Sequence, residues 1–273
     1  MIKVENLCRN FGEIKAVKNI SFNIEKGDIL GFIGPNGAGK STTMRMITGY
    51  LTPSSGSVEI DGKLLADNES VCKENIGYLP ESAPMYGDMT VINFLKFCCE
   101  IRGISGSEKK KAVEKVLDDC FLHSVKHQLI NTLSKGYRQR TCFAQSILHD
   151  PPILILDEPT DGLDPNQKYE IRKIIRNFGK DKAIILSTHI LEEVESLCTR
   201  VILIAQGEKK ADECLADFKA RGESLAETFR HLTTGERIKA EDSQVDKDMP
   251  KKDEEEAEPE DSPKPSIDEE AKS

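Results

Sequence analysis

Residues 34–41, Gly34-Pro35-Asn36-Gly37-Ala38-Gly39-Lys40-Ser41, form a glycine-rich string that ends in lysine and serine. The apolar run Ile29–Ile33 stands directly before it, and the stretch TTMRMITGY, helical in character, follows from Thr42. A buried strand, a tight loop and a helix in immediate succession constrain the chain to an α/β fold built on a parallel sheet. The glycines let the backbone curl until successive N–H groups face one centre, and a helix N-terminus adds roughly +0.5 charge. Such a loop cradles phosphates. Lys40 is placed to reach β- and γ-phosphates and Ser41 to ligate Mg²⁺. The phosphate-binding candidates are therefore Gly34, Pro35, Asn36, Gly37, Ala38, Gly39, Lys40, Ser41 and Thr42.

Four further apolar runs, Ile76–Leu79, Ile153–Leu156, Ala183–Leu186 and Val201–Ala205, are bounded by turn residues and separated by helical stretches. They fit strands buried on both faces of a mostly parallel sheet. Nearer the N-terminus, Ile2–Leu7, Ala16–Ile24 and Gly56–Ile60 read as shorter antiparallel strands, with Asp61-Gly62 as a turn. Between Thr90 and Ser146 the strand pattern stops. Val91–Arg102 and Ser107–Cys120 have helical spacing, and Ser107-Glu108 resembles a helix cap. A helical insertion over about 88–146 is expected.

Ligands of open parallel sheets bind beyond the carboxyl ends of the strands. Here those ends carry Gly34, Glu81, Asp157 with Glu158, and Ser187 to His189. The run Ile153–Leu156 ends in two carboxylates: Asp157 is suited to hold Mg²⁺ opposite Ser41, and Glu158 to act on an attacking water as general base. A third string, Leu133-Ser134-Lys135-Gly136-Tyr137-Arg138-Gln139-Arg140, offers Thr132 or Ser134 as a helix cap, and Gly136 allows close backbone approach to an anion. Ser134 and its neighbouring N–H groups suit a γ-phosphate; taken alone the string is an ordinary cap.

The net charge of −9 belongs to the C-terminus, because residues 241–273 hold 14 acidic residues and 5 lysines and leave 33 of each sign elsewhere. The body has no basic nucleic-acid footprint, and with no Trp it lacks a stacking platform for single strands. Residues 236–273 are expected to be a disordered acidic tail. The eight cysteines show no C-x-x-C spacing and read as free thiols. No secretory signal is visible, and no apolar run approaches the ~20 residues that cross a bilayer. Work at a membrane would need spans from another chain.

Together, the glycine loop, LSKGYRQR, ILILDEPTDGLDP and STHILEEVE resemble, in order and spacing, the ATP-binding subunit of ABC transporters. The resemblance covers about residues 1–235 and lies nearest the subunits of drug, sodium or gliding-motility exporters. It implies a P-loop NTPase (RecA-like) core, ATP and Mg²⁺ as cofactors, and ATP hydrolysis that powers a separate membrane subunit from the cytoplasmic face of the cell membrane. It also implies a homodimer or heterodimer in which each nucleotide lies between two chains. Ser134, Lys135, Gly136 and Tyr137 would then face ATP held by the partner. Asp164 would lie on the loop crossing between sites, His189 would contact the γ-phosphate, Phe11 would stack on adenine, and Glu81 would reach the metal. Three positions depart from the family pattern. Glu81 stands for a glutamine, LSKGY for LSGGQ, and Asp161-Gly162 for a pair of small residues; nothing in the sequence accounts for the last. A soluble ATPase of this family acting on ribosomes or DNA would carry two cassettes or a long coiled-coil insertion, and neither is visible. A nucleotide-binding scaffold without hydrolysis would not need Lys40, Asp157, Glu158 and His189 together.

Overall fold

The computed structural model describes residues 1–82 and 84–235, so the acidic tail expected over 236–273 lies outside the described residues. The strands are β1 (Ile2–Phe11), β2 (Ile14–Ile24), β3 (Ile29–Ile33), β4 (Ser55–Ile60), β5 (Lys63–Leu64), β6 (Ile76–Leu79), β7 (Ile153–Asp157), β8 (Ala183–Thr188), β9 (Arg200–Ala205) and β10 (Glu208–Cys214). The helices are α1 (Lys40–Ile47), α2 (Glu69–Glu74), α3 (Val91–Ile101), α4 (Gly106–Asp119), α5 (Lys135–Ile147), α6 (Pro165–Phe178), α7 (Leu191–Leu197), α8 (Leu215–Lys219) and α9 (Leu225–Thr234). One sheet has the order β2-β1-β4-β5 and is antiparallel; the other has the order β10-β9-β3-β8-β7-β6. In the second sheet β9 through β6 run parallel, and β10 adds an antiparallel edge.

The apolar runs have no polar alternation because both faces of this sheet are covered. Alternate residues of one strand enter different cores. Ile29 and Ile33 of β3 pack with the helices, whereas Leu30 and Phe32 pack between the two sheets beside α1. In β7, Leu154 and Leu156 face the helices while Ile153 and Ile155 face the antiparallel sheet. The helical insertion shares the first of these cores: Leu95 and Cys99 of α3, Val116 and Leu117 of α4, and Phe143 of α5 join Leu79, Leu154 and Leu156.

Several boundaries differ from the sequence reading. β1 continues to Phe11, four residues past Leu7, because Phe11 pairs with Ile14; register shifts along β1 break the period of two that would have revealed it. Helix α1 begins at Lys40 rather than Thr42, so the lysine and serine belong to its first turn. Helix α4 begins at Gly106, and the cap position falls on Ser105, whose carbonyl accepts from the Lys109 N–H at 3.2 Å; Ser107 lies inside the helix. Strand β10, EKKADEC, is charged because it is an edge, where lysine and glutamate block further pairing.

Candidate functional site

Strand β3 leaves the sheet at Gly34, where a side chain would collide with the Ile204 carbonyl oxygen of β9. Gly39, at φ 104°, lies against the Ala16 carbonyl of β2, and a Cβ there would strike it. The loop is thus clamped between two sheets, and Ala38 ties it further by accepting the Gly207 N–H at 3.1 Å. Lys40, Ser41 and Thr42 open α1, so their N–H groups have no acceptor one turn earlier in the helix. They are a donor set aimed at the mouth of the loop.

A cavity of about 490 Å³ opens there, lined by Asn36, Gly37, Gly39, Lys40, Ser41 and Thr42 of the loop and by Glu81, Glu158, Asp161 and His189 from neighbouring strand ends. Ala16 completes the wall. The convergence follows from strand order, since β3, β8, β7 and β6 are consecutive neighbours and release their chains on the same side.

The Ser41 hydroxyl donates to Asp157 Oδ1 at 3.2 Å, although 116 residues separate the two. Asp157 is fully buried, its Oδ2 makes no hydrogen bond of good geometry, and the Ser187 hydroxyl stands near the carboxylate without reaching full bonding geometry. Burial pushes the Asp157 carboxyl above the usual carboxylate range, against the opposing influence of the Ser187 and Ser41 hydroxyls. An orphaned carboxylate oxygen beside a serine hydroxyl is a hard, oxygen-only donor set of the kind Mg²⁺ takes. The residues therefore fit that ion.

Glu158 follows at φ 49°, in the left-handed region that a non-glycine side chain resists. The turn is held by its N–H, which donates to the Ser187 carbonyl at 2.9 Å. It aims the carboxylate back into the cavity, where Oε1 stands 3.6 Å from Lys40 Nζ and Oε2 2.9 Å from His189 Nδ1. Lys40 also donates to the carbonyls of Gly34 at 2.9 Å and Pro35 at 3.4 Å. With a carboxylate as acceptor, Nδ1 of His189 carries the proton, which leaves Nε2 as the second working atom of the ring. A buried carboxylate, a histidine and a lysine thus form one connected set.

Other candidates lie elsewhere. Phe11 is 45 % exposed at the end of β1, does not line the cavity, and has the Arg9 guanidinium 4.7 Å from its ring centre. Ser134, Lys135, Gly136 and Tyr137 start α5 outside the cavity wall. Ser134 is the cap, accepting from the Tyr137 N–H at 3.4 Å, whereas the Thr132 hydroxyl donates to the Leu129 carbonyl at 2.8 Å. Gly136 packs so closely on Gln167 of α6 that a side chain would displace it. Tyr137 turns toward Ser124, 3.4 Å from its hydroxyl, and lies 4.2 Å under the Arg140 guanidinium. Asp164 caps α6, accepting from the Gln167 N–H at 2.9 Å.

Sequence reasoning missed Asp161 and Ala16 as cavity residues. Asp161 could have been found from its place four residues after Asp157, within the same loop. It belongs to the pair that departs from the family pattern. Lys135 Nζ lies 3.9 Å from Asp161 Oδ2, and Gly162, at φ 62°, leaves the space the lysine occupies.

Comparison with known proteins sets this geometry among relatives. Residues 17–161 match the sequence profile of the ABC transporter family. An uncharacterized ABC transporter ATP-binding protein of Methanocaldococcus jannaschii is 41 % identical over 207 residues, covering 76 % of this chain and 74 % of that protein. The bacitracin transport ATP-binding protein BcrA of Bacillus licheniformis is 38 % identical over 209 residues, covering 76 % and 67 %. A dimeric post-hydrolysis state of the ATP-binding cassette MJ0796, bound to ADP and Pi, superposes with a TM-score of 0.71 at 26 % identity, covering 79 % of this chain and 99 % of that one.

Proposed function

The chain belongs to the ABC transporter ATP-binding family and is an ATPase, and from that premise we propose that it powers a separate membrane transport subunit by closing on a second ATPase chain around MgATP. The observation that carries this reading is the connected set Lys40, Glu158 and His189 at the mouth of a glycine loop. Each member has a task. The loop N–H groups and Lys40 hold the phosphates; on their arrival Lys40 exchanges its contact with Glu158 for one with the triphosphate. Glu158, relieved of that cation, takes the proton of the attacking water, and His189 holds the water and the γ-phosphate in line. Ser41 and Asp157 would hold Mg²⁺, which would supply positive charge against the triphosphate. That charge is needed, because the cavity wall carries Glu81, Glu158 and Asp161 against one lysine, and a bare polyanion would meet net repulsion.

The partner chain's Ser134-to-Tyr137 segment would complete the phosphate site, by likeness to the dimeric cassette. Nucleotide then binds the closed pair better than the open one, and this difference is what moves an attached subunit. Among the described residues no helix is long and apolar enough to cross a membrane; the reading puts the membrane spans on another chain and this one at the cytoplasmic face. The loop after β6 presents Tyr86, 58 % exposed and edge-on to Phe97 at 5.3 Å, as the docking candidate. The bacitracin relative favours export as the direction. The test is Glu158→Gln. It should bind MgATP, run as a dimer in size-exclusion chromatography with light scattering, and hydrolyse about 10²–10⁴ times more slowly. A variant that stays monomeric with MgATP, or turns over at the parent rate, sinks the reading.

A further inference from the structure

The loop that carries His189 is braced by a buried acid that the reaction scheme above does not use. Thr188, the last residue of β8, donates its hydroxyl proton to Glu193 Oε2 at 2.9 Å and accepts the Ile190 N–H at 3.0 Å. One side chain therefore ties together the residues on both sides of His189. Both members of the brace are inaccessible, Thr188 at 0 % and Glu193 at 1 % exposure. Glu193 Oε1 has no hydrogen-bond partner. Burying a carboxylate with half its acceptors unused costs stability. The start of α7 does not require that sacrifice. Glu192, the exposed acid beside it in the first turn, already complements the helix dipole and pairs with Arg172 at 2.8 Å. The charges that face Glu193 are Arg172 and Lys168 of α6 and, with opposite effect, Glu158.

We propose that Glu193 is a positioning residue for His189, acting through Thr188 to fix the turn that sets the imidazole against Glu158. The inference rests on the catalytic reading of His189 given above. With its single proton committed to Glu193, the Thr188 hydroxyl has only its lone pairs for the Ile190 N–H, so the direction of the whole brace is set by the acid. Without the acid the hydroxyl is free to rotate, and His189 loses its register with Glu158. Misplacement of about 1 Å at a reacting group can cost up to 10² in rate.

The experiment measures kcat and MgATP affinity for Glu193→Ala, Glu193→Gln, Thr188→Val, the double variant Thr188→Val/Glu193→Ala and His189→Ala, with thermal unfolding as a check on folding. Glu193→Ala should lower kcat about tenfold with the dissociation constant of MgATP within about twofold, and Thr188→Val should do the same. The double variant should fall about tenfold as well, not a hundredfold, because both changes cut one link. Glu193→Gln, which keeps an oxygen acceptor for Thr188, should recover most of the rate. Multiplicative losses in the double variant, or equal losses with Gln and Ala, would overturn the inference. So would a parental rate in Glu193→Ala while His189→Ala is inactive, and that result leaves the role of His189 standing. A fully active His189→Ala overturns both.

Discussion

Lys135 reaches across from the first turn of α5 to Asp161, its Nζ 3.9 Å from Oδ2, over a glycine that leaves it room. Both side chains are more than half exposed, so the pair itself is worth at most about 1 kcal/mol. The left-handed backbone at Gly162 matters more. Gly162→Ala should destabilise the chain by about 1–2 kcal/mol in urea unfolding, from the φ penalty. Adding Lys135→Ala removes the steric conflict with the ammonium but not the backbone cost, so it should recover less than half of the loss. Full recovery would show that the collision, not the backbone, set the penalty.

Asp157 carries a folded-state carboxyl raised by burial. A group raised in this way adds stability while protonated and loses it as pH climbs through its folded value. In metal-free buffer at pH 8, Asp157→Asn should therefore melt higher than the parent, and the gap should close as pH falls toward the carboxylate range. Saturating MgATP should reverse the order, since only the parent offers the ion a carboxylate oxygen. Differential scanning fluorimetry across pH, with and without MgATP, reads both effects.

His149 gives the opposite sign. Its Nε2–H donates to the Ile76 carbonyl at 3.1 Å, and Nδ1 is buried with no partner. Burial, with the like charge of Arg102, lowers its pKa from 6.5 to about 4. The unfolded chain takes up a proton that the folded one refuses, so stability drains away as pH falls from 6.5 through 4. At about 1.36 kcal/mol per tenfold in proton affinity, the loss reaches at most about 3 kcal/mol. His149→Gln keeps a donor for Ile76 and should lose correspondingly less between pH 7 and pH 4.5 in urea melts. Identical acid sensitivity of the two proteins would remove His149 from the account.

Glu81 lines the cavity wall but is exposed. Water screens its charge, so neutralising it alters the phosphate site only modestly. Glu81→Gln should retain ATP binding and hydrolyse within roughly tenfold of the parent. Loss of all turnover would make the carboxylate essential.

The parallel core was legible because its strands are buried on both faces, and an uninterrupted apolar run such as ILGFI or the ILIL of β7 admits few other readings. The glycine loop was legible for a related reason: its backbone can close only where glycines stand, as Gly34 against Ile204 and Gly39 against Ala16 show. Strand β10 and the outer half of β1 were not. A charged edge and a bulged strand carry no regular period, and their pairing is decided by neighbours far away in the chain.

What the amino-acid order determined by itself was local chemistry: a loop that can hold phosphates, two acids at a strand end, and a histidine after another. The tertiary structure alone decided which of these share a wall. Only the order of strands in the sheet puts Ser41 against Asp157 and Glu158 between Lys40 and His189. Only packing of α5 beside the loop before α6 brings Lys135 to Asp161, across the left-handed turn at Gly162. Hydrogen bonds and ion pairs act over a few ångströms, and distance along the chain does not report distance in space.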